Sequence, residues 1–166
     1  MVKHKQLAVP YRRKREGKTN YKKRLQMLVS RQMRLVIRAS LNNMIIQLVE
    51  FHPEGDKILL SASSRELIKM GWKHNRGNLP ASYLAGQLFG RKAKQKKYNG
   101  AILDLGLQSN VKGSRIYAAL KGVVDFGFSV PHTDDIFPSE DRIKGKHIND
   151  AVAKDFDKIL KEIAKA

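Results

Sequence analysis

The chain of 166 residues contains no cysteine. That removes disulfides and thiolate zinc sites, and it fits a reducing compartment. No apolar run approaches the ~20 residues that span a bilayer, and the first residues lack the apolar stretch of a secretory signal. An intracellular protein without a membrane partner is the expectation. Histidine is sparse, and His4, His52, His74, His132 and His147 show no paired ligand spacing. His132-Thr133-Asp134-Asp135 is the one cluster that suggests a metal, and it also reads as a solvated turn after Pro131. Neither a metal nor a cofactor is expected.

Acid is the most informative scarcity. Thirteen of the first 38 residues are Lys or Arg against the single acid Glu16, so this segment carries +12 of the formal +18. Residues 39–64 are net −2, residues 65–97 net +8, and residues 98–166 neutral. Mixed charge would serve solubility equally well, so the segregation points to a polyanionic partner. Tyr11 and Tyr21 lie among the cations, where rings can stack on unpaired bases while Lys and Arg neutralise phosphates. An apolar content of 42% is ample for a folded body behind this arm.

Along the chain, Tyr21 to Ser30 reads as a short helix with Leu25, Leu28 and Val29 on one side. Leu35–Ser40, Met44–Val49 and Ile58–Leu60, separated by Asn42-Asn43 and Pro53-Glu54-Gly55-Asp56, predict an antiparallel meander. Met44–Val49 is almost continuously apolar, as in a strand covered on both faces. Ser63 and Glu66 form a capping-box start for a short helix ending at Gly71. A longer helix begins at Asn78-Leu79-Pro80, with Ala81, Leu84, Ala85 and Leu88 on its buried face. Ile102–Leu105 then adds a strand, and the strand–helix–strand order implies a right-handed crossover and a parallel pair. Ser114 caps a helix from Arg115 to Val124, and Phe128–Val130 adds an edge strand. Residues His132 to Lys146 read as a polar tail. Val152, Phe156, Ile159, Leu160 and Ile163 make the apolar stripe of a last helix.

Fold class is therefore α/β: a mixed sheet, antiparallel meander plus parallel strand, flanked by helices. The expected parts are a basic arm and short helix over 1–30, a body over 31–131, and a tail with an amphipathic helix over 132–166.

Chemical motifs are few. Gly17-Lys18-Thr19 mimics the end of a nucleotide-binding loop, but Arg12 stands where that loop needs its first Gly. Asp104, Glu66 and Asp125 could serve a two-metal nuclease, or be simple strand-rim and helix-end acids. The arm could alternatively lie on a membrane surface with its short helix. Trp72 reads as core, with base stacking kept open by its basic loop Trp72-Lys73-His74-Asn75-Arg76. Residues 91–97 form a second basic block, where a solvated helix end competes with a phosphate-facing surface. Lys112-Gly113-Ser114-Arg115 places two cations and backbone N–H groups at a helix start, a phosphate seat.

The run Arg12–Tyr21 resembles the arm of a family of large-ribosomal-subunit proteins, number eighteen in the archaeal and bacterial count and five in the eukaryotic one. Ser63–Leu67, Ala81–Gly86, Ile102–Leu107, Gly113–Gly122, Val130–His132 and Arg142–Ile148 follow in the family's order, covering nearly the whole chain. The long arm and tail look archaeal. The resemblance implies a ribonuclease-H-like sandwich without nuclease activity. It also implies a structural, non-enzymatic role that binds 5S rRNA and anchors it to 23S rRNA in the central protuberance, beside neighbouring ribosomal proteins. No small-molecule substrate is implied. The RNA-binding candidates are Lys3, Lys5, Tyr11, Arg12, Arg13, Lys14, Arg15, Lys18, Thr19, Asn20, Tyr21, Lys22, Lys23 and Arg24 of the arm. From the body come Arg38, Asn42, Asn43, Trp72, Lys73, Arg76, Lys112, Gly113, Ser114 and Arg115.

Overall fold

A computed structural model describes residues 9–165. Branched aliphatic residues after Met33 favour extended chain, and they form β1 (Arg34–Ala39), β2 (Met44–Glu50) and β3 (Lys57–Ser63). These three make the expected antiparallel meander, and β4 (Ile102–Asp104) adds parallel to β1, in the order β3-β2-β1-β4. The register sets Leu35 against Leu48 and Ile37 against Ile46, all without exposure, so this face is the core. Period two sends Arg34, Val36 and Arg38 to the opposite face. There the both-faces-covered expectation for Met44–Val49 fails. Ile45 is exposed because only the arm reaches that side.

Two helices cover the core face. α3 (Leu79–Gln95) starts at Asn78, whose Oδ1 accepts the Ala81 N–H at 3.0 Å, with Pro80 in the first turn where its missing N–H costs nothing. α4 (Arg115–Asp125) crosses it at backbone contact. A Cβ on Gly86 would lie 2.1 Å from the Ala119 carbonyl oxygen, and one on Gly122 would lie 2.2 Å from that of Tyr83. Only glycine at both positions permits this approach. α6 (Asp150–Lys165) then buries Val152, Phe156, Ile159 and Ile163, with Leu160 half-buried and the Phe156 ring 5.6 Å from Tyr83. The tail contributes to the same core.

Three local expectations are corrected. The Ser63–Glu66 box forms in part, Glu66 Oε1 accepting the Ser63 N–H at 3.0 Å. Ser63 Oγ caps only Arg65, so the segment Glu66–Met70 tightens to a 3-10 helix before Gly71. Phe128–Val130 is not a fifth strand but a single parallel bridge between Gly100 and Ser129. The polar stretch from His132 to Lys146 contains a 3-10 turn at Asp134–Ile136 and a short helix, α5 (Glu140–Lys144), anchored by buried Ile143.

Because the α3–α4 crossing has no space for a methyl group, Gly86→Ala or Gly122→Ala should cost about 2–3 kcal/mol in urea unfolding. A loss below about 0.5 kcal/mol would show that the helices separate freely.

Candidate nucleic-acid interface

So many like charges pack only where each is solvated or paired. In the arm, α1 (Arg12–Arg15) and α2 (Tyr21–Val29) are short, and neither buries a side chain fully. Asn20 caps α2, its Oδ1 accepting the Lys23 N–H at 3.1 Å. The two helices are tied by Arg13 Nε donating to Thr19 Oγ1 at 2.9 Å and by the Tyr11 and Tyr21 rings at 5.2 Å. Glu16, the arm's one acid, takes Arg12 and Lys18, each at 2.8 Å. The hydrogen bonds from Lys18 and then Arg12 hold its carboxyl below the ordinary value. Among the described residues, Lys14, Arg15, Lys22 and Lys23 form no ion pair, and Arg13 only the Thr19 bond. Five cations therefore remain available to an external anion. Lys3 and Lys5, also expected in this surface, lie outside the described residues.

The arm does not project freely. It folds over the end of β4 and leaves a cleft of about 600 Å³ between Arg13, Lys18 and Lys23 on one wall and Arg38, Gly106 and Asn110 on the other. Its floor is an ion network that the sequence did not reveal. Arg34, 3% exposed, donates to Asp104 Oδ2 at 2.9 Å and to Asp56 Oδ2 at 2.7 Å. Asp56 also takes both terminal nitrogens of Arg24, each at 2.9 Å. Arg38 donates to Asp104 Oδ1 at 3.2 Å and to the Asp104 carbonyl at 2.6 Å. Burial pushes the Asp56 carboxyl up, but the hydrogen bonds and charges of Arg24 and Arg34 outweigh it, leaving the group below its ordinary value.

Several of the expected RNA-contact residues also hold partners inside the protein. Arg24 and Arg38 neutralise carboxylates. Arg115 donates to the Gly77 carbonyl at 2.8 Å and the Ser40 carbonyl at 3.3 Å, joining the β1–β2 turn to the loop before α3. Lys112 pairs with Asp135, the Gly113 N–H goes to Ile136 and the Ser114 N–H to Val111. Lys112 and Arg115 of the expected phosphate seat thus hold partners within the protein, and Ser114 makes no side-chain cap. Trp72 takes its core reading. It is 2% exposed and its indole N–H donates to the Asn75 carbonyl at 3.1 Å, so no ring face is open to a base.

Lys73 and Arg76 line an open groove with Asn42, while Asn43 closes its turn by hydrogen bonds with Ser40. In the second basic block, Lys92 caps the Ser61 carbonyl at 2.9 Å and Lys96 the Leu59 carbonyl at 3.3 Å. Two of its cations thereby cover the free edge of β3.

The three carboxylates of the nuclease reading have separate duties. Asp104 lies under Arg34 and Arg38, Glu66 holds Lys92 at 2.7 Å, and Asp125 accepts the Tyr83 hydroxyl at 2.8 Å. Among the described residues no three His, Asp or Glu side chains gather as a metal site, and no helix is long and apolar enough to cross a membrane.

A four-stranded mixed sheet under helices, carrying a cationic two-helix arm over a basic cleft, defines an α/β protein of the nucleic-acid-binding class. The model of the family described as ribosomal large subunit proteins 60S L5 and 50S L18 matches residues 5–99 and 92–133. The chain is also 50% identical over 147 residues to the large ribosomal subunit protein uL18 of the archaeon Methanothrix thermoacetophila, covering 89% of this chain and 87% of the relative. The chain belongs to this family of ribosomal large-subunit proteins. It is a ribosomal, RNA-binding constituent of the translation machinery.

Removing the shared carboxylate should unbalance two guanidiniums. Asp104→Ala is expected to cost about 3–5 kcal/mol in urea unfolding, since Arg34 stays buried with half its partners. A loss below about 1 kcal/mol would refute that dependence. Asp56 titrates lower when folded, so its contribution is complete above its ordinary value of 3.8 and fades as pH falls through the depressed folded value. Acid unfolding curves of the protein and an Asp56→Asn variant should therefore converge only in strong acid.

Proposed function

We propose that the protein binds 5S rRNA through its arm and cleft and anchors it to 23S rRNA in the central protuberance, next to other large-subunit proteins. Membership of the large-subunit family gives the setting. The observation that carries the reading is the set of five cations, Arg13, Lys14, Arg15, Lys22 and Lys23, presented on two short helices with no acid to neutralise them. Lys73, Arg76 and Asn42, on another loop surface, supply a second contact region suited to a second RNA segment. The role is structural rather than catalytic, which the dispersal of Asp104, Glu66 and Asp125 into separate pairings supports. The domain scheme follows: an RNA-binding arm over residues 1–30, a body over 31–131 that carries it, and a tail over 132–166 that packs on the body.

Affinity should come chiefly from counterion release, and discrimination from the shape of folded RNA with a few unpaired bases. With about six phosphates neutralised, log affinity for 5S rRNA should fall against log salt with a slope of roughly −4 to −5. Deleting residues 1–24 should leave the circular dichroism of the body intact and weaken binding by several orders of magnitude. An unchanged titration curve, with transfer RNA as competitor, would sink the proposal.

A further inference from the structure

The arm lies on the sheet with little apolar packing to hold it. No α2 side chain is fully buried; Met27 and Leu28 are half-covered, while Leu25 and Val29 face solvent. An isolated helix of nine residues is marginal in water. Among the described residues, the only side-chain hydrogen bonds from α2 to the sheet are the two from Arg24 to Asp56. Asp56 is in turn fixed from below by Arg34, which is itself held by Asp104. The constraint passes outward as well, since Tyr11–Tyr21 and Arg13–Thr19 tie α1 to α2. One carboxylate on the β2–β3 turn therefore sets where every available arm cation stands.

We infer that Asp56 is a positioning residue for RNA binding, latching α2 to the sheet so that the arm's cations face the polyanion already oriented. The inference rests on the RNA reading above. It runs against simple electrostatics. Neutralising an acid beside the arm raises the net charge from +18 to +19, and Coulomb attraction alone then predicts tighter RNA binding. A latch predicts the reverse, because a freed arm must be ordered at the moment of binding. A role confined to balancing Arg34 explains neither the bidentate capture of Arg24 nor why α2 lies where it does.

Asp56→Asn, Asp56→Glu and the control Glu54→Gln from the same turn are titrated with 5S rRNA over a salt series, well below each variant's melting temperature. Glu54→Gln should bind as the parent or slightly tighter. Asp56→Asn should bind at least about tenfold weaker, and Asp56→Glu should recover part of the loss. Folded Asp56→Asn binding as tightly as Glu54→Gln overturns the inference.

Should Asp56→Asn fail to fold, Arg24→Met leaves the Arg34 pairs in place and decides the matter. A lost phosphate contact flattens the salt slope by about 0.7–0.9. A lost latch weakens binding by a similar factor at every salt and leaves the slope unchanged, because the same cations engage once the arm is ordered, and a flattening of about 0.7–0.9 overturns the latch. Amide hydrogen exchange across residues 24–29 in the RNA-free protein should rise at least tenfold in Asp56→Asn or Arg24→Met. Unchanged exchange refutes the latch on its own, whereas a parent protein that ignores 5S rRNA refutes the RNA reading instead.

Discussion

A guanidinium at 3% exposure must be neutralised where it stands, and around Arg34 that demand organises the protein. β1 fixes its place by pairing with β2 on one side and β4 on the other, so its partners must come from the strand and turn beside it. Asp104 arrives on β4, two registers along, and Asp56 arrives at the end of the β2–β3 turn, just before β3. Each acid then has a second oxygen to offer, and each recruits a further arginine, Arg38 and Arg24. Three guanidiniums against two carboxylates leave one positive charge at the floor of the cleft. The network joins α2, β1, β4 and the β2–β3 turn.

The two faces of the sheet are stabilised by different physics. Behind it, α3 and α4 meet backbone to backbone at Gly86 and Gly122, and apolar side chains of α6 close over them. That side is close-packed and tolerates no added atom. In front, a lightly packed arm is held by ion pairs, which salt weakens and a polyanion can rearrange. A rigid rear layer and a polar front suit a protein whose front surface is completed by another molecule.

Much of the fold was legible in the residues. The meander, the parallel strand, the Asn78 cap and the stripe Val152–Ile163 follow from period and punctuation, and the structure bears them out. Errors arose where long-range contacts decide. Ile45 reads as core from its neighbours, yet it is exposed on the face opposite α3 and α4. Ser114 reads as a cap, but its hydroxyl makes no hydrogen bond to the helix start.

The charge of the candidate interface is legible in the residues, and its internal pairings are not. Arg34, Val36 and Arg38 visibly share a face at period two. What that face meets depends on Asp56, 22 residues away, and Asp104, 70 away, and no local pattern carries such information. Gly86 and Gly122 lie within the runs that resemble the ribosomal family, but only the helix crossing supplies their reason.

The distribution of acid, finally, explains itself once the partners are known. Glu16 gathers Arg12 and Lys18, Asp56 gathers Arg24 and Arg34, and Asp104 gathers Arg34 and Arg38. Acids in and beside the arm thus each bridge two cations rather than dilute them. A basic residue near an acid in space becomes part of the scaffold, and one without an acid remains for the polyanion. Charge counted along the chain cannot make that distinction, because Arg24 and Lys23 are neighbours in sequence with opposite fates. Scarcity of acid in this protein is consequently selective. Enough is present to hold the arm in one pose, and too little to quench the cations that the pose presents.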